Sequence, residues 1–290
     1  MSESSAWAYE RAFVRNLGLV SPDEQQKLRA TRVAIVGQGG VGGIHLVTLA
    51  RLGIGKFTIA DPDTFEVANF NRQYGATVST IGQSKVKVME KILHDINPEA
   101  ELRMIESVTA DNAAQFLDGA DIFIDGIDAF EIDMRRLLFH EAARRGIYAV
   151  TAGPIGFSTA WLTFDPKGMS FDRYFDLSDG MDKAQKFAAF LAGLVPVATH
   201  RGYMDISYVN MKQHVGPSAS LACQLSAGVA AAEAIKIILN RGPIESAPHF
   251  HQFDAYRQRY VHGKLRFGNR SWWQRFKRRL LEKYLRKTLS

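Results

Sequence analysis

The most informative stretch of this 290-residue chain is Val33-Ala-Ile-Val-Gly37-Gln38-Gly39-Gly40-Val41-Gly42-Gly43. An apolar run typical of a strand enters a glycine-rich turn, and an apolar helical pattern follows the turn directly. Glycines allow a tight turn and a close approach of backbone N–H groups to a phosphate, and a helix N-terminus adds partial positive charge. The stretch therefore predicts a strand–turn–helix unit that binds a nucleotide through Gly37, Gly39, Gly40 and Gly42.

An acidic residue follows at the spacing that such a unit requires. Asp61 comes nineteen residues after Gly42 and directly after the strand-like run 56–60. An acid at this position reaches the hydroxyls of a ribose. A glycine turn alone is weak evidence, but here strand, turn, helix and distal acid occur in register. Together they indicate an adenine nucleotide.

The residues after Asp61 favour ATP over a nicotinamide dinucleotide. A second acid, Asp63, is followed by a polar run that contains Arg72, and Lys85 lies in the first turn of the next predicted helix. Arginine offers a planar fork of donors and lysine a mobile point charge, a pair that suits a triphosphate. Either cation alone is typical of a solvated surface. Both together, close to a phosphate turn, indicate ATP.

Strand and helix patterns alternate up to about residue 152. Strands are predicted near 33–37, 56–61, 101–106, 121–125 and 147–151, and helices near 43–52, 84–96, 111–117 and 131–145. The alternation predicts an α/β fold: a doubly wound, Rossmann-like, mostly parallel sheet with helices on both faces, continuing into a mixed or antiparallel C-terminal half. Ligands bind at the carboxyl ends of such strands, where Gly37, Asp61 and Asp125 lie. Further along, the patterns predict a strand over 155–164, a helix near 217–240 and a strand near 248–256.

These motifs resemble those of the ubiquitin-activating-enzyme-like adenylyltransferases, which include the ThiF, MoeB and HesA proteins of sulfur-carrier activation. The resemblance covers about residues 9–260 and is densest over 33–85. Within the dense part, the glycine turn, an Asp-x-Asp strand end, an Asn-x-Asn-Arg-Gln run and a Gly-Gln-x-Lys helix start occur in this order. The resemblance implies an enzyme that uses ATP and Mg²⁺ to adenylate a carboxylate.

The resemblance also implies roles for individual residues. Asp61 and Asp63 would hold the ribose. The phosphates would be surrounded by Asn69, Arg72, Gln73 and Lys85. Arg15, in the N-terminal segment 9–16, would reach the triphosphate of the neighbouring subunit, which implies a homodimer.

Asp128, in the run Asp121-Ile-Phe-Ile-Asp125-Gly-Ile-Asp128, looks like the family's acid that holds Mg²⁺. An asparagine often follows that acid in the family, whereas Ala129 stands here. Asp128 could alternatively cap the N-terminus of the helix that follows. The chemistry itself needs no protein nucleophile, because a carboxylate attacks the α-phosphate and cations carry the developing charge. With the roles that the resemblance implies for Asp128 and Arg15, the expected catalytic group is Arg72, Lys85, Asp128 and Arg15.

Cys223 is the only cysteine of the sequence. A structural zinc site built from paired Cys-x-x-Cys motifs needs three or four N or S ligands, so it is excluded. Cys223 also lies in a run of small and apolar residues that predicts a buried helix, where a free cysteine acts as a small hydrophobe. The sequence therefore argues against transfer of an acyl group to a cysteine of this chain.

The last 27 residues differ in character from the rest. We expect one adenylation domain over residues 1–263, with a nucleotide half at about 30–152 and a crossover or substrate half at about 153–263. Residues 264–290 contain ten Lys or Arg and one acid, a net charge of +9 against +6 for the whole chain. Apolar residues at helical spacing make this tail amphipathic. It could dock on the protein's own body or a partner, bind tRNA, or lie on an anionic membrane through 272–289.

Three functions fit these observations. The leading one is an ATP- and Mg²⁺-dependent adenylyltransferase that activates a carboxylate on a carrier protein, a peptide C-terminus or a small acid for a free nucleophile. The second is a tRNA-modifying ATP-dependent dehydratase of the same superfamily. The third is a catalytically silent nucleotide-binding partner subunit. No uninterrupted apolar run reaches 18 residues and the N-terminus is polar, so we expect a cytoplasmic protein.

Overall fold

A computed structural model describes residues 6–210 and 212–287. Eight strands form one sheet in the order β3-β2-β1-β4-β5-β6-β7-β8. Five of them are parallel: β1 (Arg32–Val36), β2 (Lys56–Ala60), β3 (Glu101–Ile105), β4 (Ile122–Asp125) and β5 (Tyr148–Ile155). The antiparallel strands β6 (Ser158–Phe164), β7 (His249–Asp254) and β8 (Arg259–Lys264) extend the sheet. The predicted fold class is confirmed.

Helices cover both faces of the sheet. They are α1 (Tyr9–Ala12), α2 (Pro22–Ala30), α3 (Gly42–Arg51), α4 (Lys85–Ile96), α5 (Ala113–Phe116), α6 (Ile132–Arg144), α7 (Phe171–Phe175), α8 (Lys183–Leu194), α9 (Ser220–Leu239) and α10 (Trp272–Lys287). Short 3₁₀ turns lie at Val14–Asn16, Val67–Asn69, Val78–Thr80, Ile206–Tyr208 and Gly268–Arg270. All five strands and four helices predicted for the first half occur, with ends that differ by a few residues.

The hydrophobic core has two parts, one on each face of the sheet, because successive side chains of a strand point to opposite faces. In β1, Ala34 belongs to a cluster with residues of α6, α7 and α8, whereas Val33 and Ile35 belong to a cluster with residues of α2, α3, α4 and α9. All five residues of β1 are buried. This is the pattern of a central parallel strand with helices on both faces.

The strand predicted over 155–164 occurs as β6, but it begins three residues later than expected. β5 ends at Ile155, Gly156 turns the chain with a φ of +58°, and β6 begins at Ser158. The two strands form a hairpin in which Ile155 pairs with Ser158. The apolar character of both strands hid the turn, because a run of hydrophobic residues does not show where a chain reverses. The strand β8 was not predicted at all.

Helix α9 is the one described helix that is long and apolar enough to cross a membrane by length and composition, with a mean hydropathy of 1.5. It packs against β5, β6 and α3. Ala230 and Ala234 lie in the core there, at most 1% exposed. These contacts are those of a core helix, which occupies most of the predicted helix at 217–240.

The basic tail forms helix α10 and docks on the body of the protein. Leu285 is 1% exposed and belongs to the core cluster on the α6 and α8 side. The Gln274 side-chain amide donates to the carbonyl of Ala192 at 2.9 Å, and Arg286 donates to Asp182 at 2.6 Å. Of the alternatives for the tail, docking on the protein's own body is therefore observed. Residues 288 and 289 of the expected membrane segment lie outside the described residues, and membrane contact stays a prediction.

Candidate nucleotide-binding site

The strand order reverses between β1 and β4, since the chain leaves β1 toward β2 and β3 and returns to β4. Ligands of open α/β sheets bind in the crevice at the carboxyl ends of the strands at such a switch point. The glycine turn follows β1 at this edge, and the loop 126–131 follows β4. The sequence placed Gly37, Asp61 and Asp125 at the same edge, and the structure confirms this placement.

Three glycines pack closely against one another where the glycine turn meets the loop 126–131. A Cβ on Gly37, whose φ is +80°, would lie 2.2 Å from the carbonyl oxygen of Gly126. A Cβ on Gly42 would lie 1.6 Å from the carbonyl oxygen of Gly37. A Cβ on Gly126 would lie 2.7 Å from the carbonyl oxygen of Val36. Neither loop has room for a side chain at these positions. The sequence identified Gly37 and Gly42 and missed Gly126, which only a fold that joins β1 to β4 makes significant.

Asp61 fastens the glycine turn to the end of β2. Its two carboxylate oxygens accept the backbone N–H groups of Gln38, at 2.6 Å, and of Asp63, at 2.9 Å. Burial raises the pKa of Asp61, and the nearby charge of Lys85 opposes this effect. The contacts of Asp61 are thus with the protein backbone, whereas the Asp63 carboxylate is 64% exposed at the same strand end. The ribose role of both acids stays a prediction.

Lys85 opens helix α4 and meets both acids. Its Nζ lies 2.9 Å from the Asp63 carboxylate and 4.0 Å from that of Asp61, and its side chain is 7% exposed. A buried ammonium needs paired charge, and the two acids supply it in the absence of phosphate. The sequence predicted these three residues as members of one site, and the structure brings them together.

Arg72 and Gln73 flank the glycine turn from the loop after β2. The stem of Arg72 lies 3.8 Å from the position of a Cβ on Gly40, and the Gln73 amide nitrogen lies 3.5 Å from that of a Cβ on Gly39. The Arg72 guanidinium donates to the carbonyl of Ala68 at 2.9 Å and remains partly exposed. Both side chains are therefore within reach of a phosphate in the turn.

Asn69 has a local role in the same loop. Its side-chain oxygen accepts the backbone N–H of Glu66 at 2.9 Å, which caps the 3₁₀ turn Val67–Asn69. This bond positions the start of the segment that carries Arg72 and Gln73. Contact of Asn69 with the phosphates, which the resemblance implied, stays a prediction.

A buried ion pair that the sequence did not reveal lies beneath the loop 126–131. Asp125 and Arg135 are each 3% exposed, and Arg135 Nε donates to Asp125 Oδ2 at 2.7 Å. Arg135 also donates to the carbonyl of Ile127 at 2.6 Å, and its guanidinium stacks on the ring of Phe190. The pair fixes the backbone path between Asp125 and Asp128. A salt link at ten residues' separation, across a strand end and a helix, has no local sequence signal.

Asp128 projects from this loop with its side chain exposed. One carboxylate oxygen accepts the backbone N–H of Phe130 at 2.9 Å. Among the described residues, Asp128 forms no ion pair, so its other oxygen is available to a ligand. Helix α6 begins at Ile132 with Glu131 at the N-cap, so the alternative that Asp128 caps this helix is wrong. A single carboxylate next to substrate phosphates is a typical Mg²⁺ environment, and Asp128 fits this role.

Arg15 is remote from the glycine turn of its own chain. It lies exposed in the 3₁₀ turn Val14–Asn16, and the neighbouring Asn16 donates to the carbonyl of Leu52 at 3.1 Å. Leu52 follows the C-terminus of α3, whereas the turn precedes its N-terminus. The ten residues of this helix separate the two by about 15 Å. The structure therefore does not bring Arg15 together with the other predicted site residues of the same subunit.

Cys223 lies in the first turns of α9 and is 1% exposed. Its sulfur would be 3.5 Å from a Cβ on Gly40, so it packs behind the glycine turn. Burial raises the pKa of the thiol, with a smaller opposing effect of Arg72. A buried, protonated thiol is a poor nucleophile. The predicted burial of Cys223 is confirmed.

Within residues 6–210 and 212–287, no group of three or more His, Cys, Asp or Glu side chains is placed to hold a metal ion.

The fold and this edge of the sheet define an α/β protein with a candidate nucleotide-binding site. The chain belongs to the ThiF family, whose sequence profile matches residues 13–270. Its homologues include adenylyltransferases of the ThiF, MoeB and E1-like type.

Several curated relatives match about half of the chain. The chain is 35% identical over 153 residues to the tRNA threonylcarbamoyladenosine dehydratase of Haemophilus influenzae, a match that covers 52% of this chain and 58% of the relative. It is 32% identical over 136 residues to the sulfur carrier protein adenylyltransferase of Thermus thermophilus, covering 47% and 48%. The matches thus span only about half the length of these relatives.

Solved structures share the fold over a larger part of the chain. The tRNA N6-threonylcarbamoyladenosine dehydratase of E. coli in complex with ATP has a TM-score of 0.60 at 24% identity, covering 81% of this chain and 96% of that one. E. coli MccB with ATP has a TM-score of 0.66 at 19% identity, covering 92% and 72%. Both neighbours hold ATP, and their likeness to this chain shows that it shares their fold.

Proposed function

We propose that this chain is an ATP-dependent activating enzyme that adenylates a carboxylate carried on a tRNA nucleoside and so promotes loss of water from that nucleoside. One observation carries the proposal: a site suited to a triphosphate lies beside the sequence's only cysteine, and this cysteine is buried. An activated acyl group has no accessible thiol of this chain to move to. The second nucleophile therefore comes from the substrate side.

The names of the relatives favour a nucleoside over a carrier protein or peptide. The dehydratases act, by name, on a threonylcarbamoyl group on tRNA, and threonine supplies a carboxylate. In the proposed reaction the carboxylate attacks the α-phosphate of ATP and releases pyrophosphate. A neighbouring atom of the same group then attacks the acyl carbon, loses its proton and releases AMP. The net change in the nucleoside is the loss of one water.

The residues of the site divide this work. Arg72 and Lys85 hold the triphosphate over the glycine turn, and Lys85 exchanges part of its contact with Asp63 for phosphate. Asp128 would hold Mg²⁺, which neutralises phosphate charge when it is bound. Two anions then meet among fixed cations, which is where positioning and electrostatics lower the barrier. We include in the proposal a cytoplasmic homodimer in which Arg15 completes the partner's site.

The test measures AMP and pyrophosphate released from Mg·ATP by the purified protein. The offered acids are tRNA that bears threonylcarbamoyladenosine, the same tRNA without the threonylcarbamoyl group, and peptides or small acids. We expect release only with the modified tRNA. Arg72→Ala and Asp128→Ala should each lower it by about 10²–10³-fold, the usual cost of one group that stabilises transition-state charge. Arg144→Ala, which removes an exposed arginine of α6, is the matched control and should keep wild-type release.

Each other outcome identifies an alternative. Release with a peptide or a small acid, but not with modified tRNA, would leave adenylation in place and overturn the RNA substrate. ATP binding without release for any acid would support a silent partner subunit. An Asp128→Ala protein with wild-type turnover would contradict the assigned site.

A further inference from the structure

Two exposed aromatic rings and an arginine at the tips of the β5–β6 and β7–β8 hairpins meet the half-buried ring of Tyr203. We call this group the aromatic platform: Phe157, Tyr203, Tyr256 and Arg257. The Phe157 and Tyr203 rings stack with centroids 5.6 Å apart and planes 11° apart, and Tyr256 lies 5.1 Å from Tyr203. The Arg257 guanidinium lies 5.6 Å from the centre of the Tyr203 ring. Nothing in the adenylation chemistry uses these residues.

Hydrogen bonds to the buried Asp254 and to the backbone orient the platform. The Tyr203 hydroxyl donates to the Asp254 carboxylate at 3.0 Å and accepts the backbone N–H of Phe157 at 3.2 Å. Asp254 is inaccessible, and its other oxygen accepts the backbone N–H of Arg257 at 3.0 Å. A Cβ on Gly156 would lie 2.8 Å from the Tyr203 ring, so only glycine lets this ring approach the hairpin.

The platform nevertheless leaves apolar area in solvent. Tyr256 is 67% exposed and Phe157 is 38% exposed. The buried Asp254 and Gly156, with its positive φ, thus orient these rings. The outer faces of the rings pack against nothing in the described chain. Rings held in this way suit a flat ligand, because they lose little side-chain entropy when it stacks on them.

The platform stands on the edge of the sheet that holds the nucleotide site. Val36 of β1 is in register with Asp125 of β4, and Asp125 with Thr151 of β5. β5 continues four residues beyond Thr151 to Ile155, about 13 Å further in the same direction. The tip of the β5–β6 hairpin therefore rises beside the site, two to three strands from β1, a lateral distance of roughly 10–15 Å.

One segment of the chain connects the platform with the site. It leaves the platform at Tyr203, and His214 stacks on Phe130, two residues from Asp128, with ring centroids 5.1 Å apart. At its end, the carbonyl of Ser218 accepts the Asn71 side-chain amide at 2.9 Å. The described residues of this segment thus contact both the platform and the loops that carry Asp128 and Arg72.

The charges around the platform suit a polyanion. Arg201, Arg257 and Arg259 are exposed, whereas Asp254 is buried and engaged by hydrogen bonds. One exposed acid, Asp205, lies two residues from Tyr203, so cations outnumber exposed acids there. Arg257 donates through its side chain to the carbonyl of Arg201 at 2.7 Å, which fixes its guanidinium beside the rings. Unpaired RNA bases are recognised by such combinations, in which bases stack on aromatic and guanidinium planes and cations contact the backbone.

We propose that the aromatic platform stacks an unpaired base of an RNA substrate, a few nucleotides away from the nucleoside that is adenylated. The inference rests on the proposed function, and it deepens that function by assigning a second contact to the RNA. Stacking at the platform holds the loop so that its reacting nucleoside reaches Asp128 and the glycine turn.

The test uses the full chain and a stem–loop RNA with 2-aminopurine at single positions of its loop. Stacking on aromatic rings quenches this fluorophore. We expect quenching at one loop position with wild type and with Tyr256→Phe, which keeps the ring. Tyr256→Ala should lose the quenching and bind the RNA about 5- to 150-fold more weakly, the effect of losing one stacked base. Mg·ATP affinity should stay at the wild-type value.

Two comparisons keep this inference separate from the proposed function. If wild type releases AMP with modified tRNA while Tyr256→Ala and Phe157→Ala match it in RNA affinity and quenching, the platform is overturned and the function stands. If wild type neither binds the RNA nor depends on tRNA for AMP release, the proposed function fails first and the platform with it. Trp272→Ala removes a similarly exposed ring on α10; a loss equal to that of Tyr256→Ala would contradict the platform as the specific contact.

Discussion

Asp61, Asp125 and Arg135 show how single residues shape the site from behind. Each is at most 6% exposed, and none has a side chain turned to solvent. Asp61 holds the glycine turn through two backbone N–H groups, and Arg135 holds the loop of Asp128 through Asp125 and a carbonyl. Removing one partner of a buried pair leaves an uncompensated charge, at a cost of about 3–5 kcal/mol. The glycine turn and the loop of Asp128 are therefore positioned by buried charges.

His45, in the first turn of α3, links stability to pH. It is 1% exposed, and neither ring nitrogen has a hydrogen-bond partner among the described residues. Burial lowers its pKa from 6.5 to about 4, against the opposing charge of Asp125. The folded chain thus keeps His45 neutral where the unfolded chain binds a proton. The stability that neutral His45 gives the folded chain is complete above pH 6.5. It is lost as the pH falls toward 4, by up to about 3 kcal/mol.

We therefore expect His45→Leu to gain stability relative to wild type as the pH is lowered from 7 to 4. Urea unfolding at several pH values measures the difference, and groups common to both proteins cancel. His140→Leu is the control of opposite sign, because Asp172 raises the pKa of His140 and favours its protonated form in the folded chain. That variant should lose stability relative to wild type at low pH. A constant difference between His45→Leu and wild type would contradict the argument.

At the scale of elements, the site depends on how closely a strand, a helix and a loop approach. α3 begins at Gly42 without a side-chain cap, so its first N–H groups are open to an anion. The loop after β4 crosses directly over the turn, with the Gly126 backbone against Gly37 and Gly42. A side chain on any of the three would push the loop that carries Asp128 away from the phosphates.

Gly42→Ala should abolish or strongly weaken Mg·ATP binding, since its Cβ would overlap the carbonyl of Gly37 at 1.6 Å. Gly228→Ala is the matched control on α9, where a Cβ meets nothing within 4 Å. It should keep ATP affinity and raise stability by about 0.5–1 kcal/mol, because alanine restricts the unfolded chain more than glycine does. Calorimetric titration with Mg·ATP and denaturant unfolding measure both. Wild-type ATP affinity in Gly42→Ala would contradict the close packing of Gly42 against Gly37.

At the scale of the whole molecule, the basic tail is part of the folded body. α10 packs on α8, and its cations pair with two acids that lie between α7 and α8. Arg278 pairs with Asp176 and Arg286 with Asp182. Its outer face still carries Trp272 at 78% and Leu280 at 54% exposure. One face of α10 is therefore docked on the body, and the opposite face exposes basic and apolar side chains.

Two leucines of α10 separate docking from mere helix formation. Leu285→Ala should cost about 2–5 kcal/mol of stability, the usual range for a buried leucine, because its side chain is 1% exposed in the core. Leu280→Ala, one turn earlier and 54% exposed, should change stability by less than about 0.5 kcal/mol. Denaturant unfolding of both variants measures this. Equal, small effects would mean that the tail is not docked in solution.

The proposed role of Arg15 makes a prediction about mixed dimers. Arg15→Ala and Arg72→Ala should each be inactive alone. If Arg15 acts across the interface, an equal mixture that exchanges subunits contains mixed dimers with one intact site, and about a quarter of wild-type turnover returns. AMP release after refolding the mixture measures it. An inactive mixture of dimers would place Arg15 in its own subunit's site or outside any site.

Much of the nucleotide half could be predicted from the sequence because its signals are local. The glycine turn, Asp61 and Lys85 lie on elements whose hydrophobic period shows directly in the sequence, and parallel strands bring their carboxyl ends to one edge. Arg72 was predicted with Lys85 as a pair of cations for a triphosphate, and the resemblance added Asp128; the structure places Arg72 beside the glycine turn and Asp128 at the same edge of the sheet. Arg15 is the exception, since its expected contact lies outside a single chain.

The sequence by itself determined the alternating α/β pattern, the phosphate turn and the lack of an accessible thiol partner, because each depends on residue type at short spacing. Only the tertiary structure decided that Gly126 closes on Gly37, that Arg135 supports the loop of Asp128, and that α10 docks on α8. It also decided that Phe157 meets Tyr256. These contacts join residues that are distant in sequence, and their free energy comes from burial and charge pairing that exist only once the sheet has assembled.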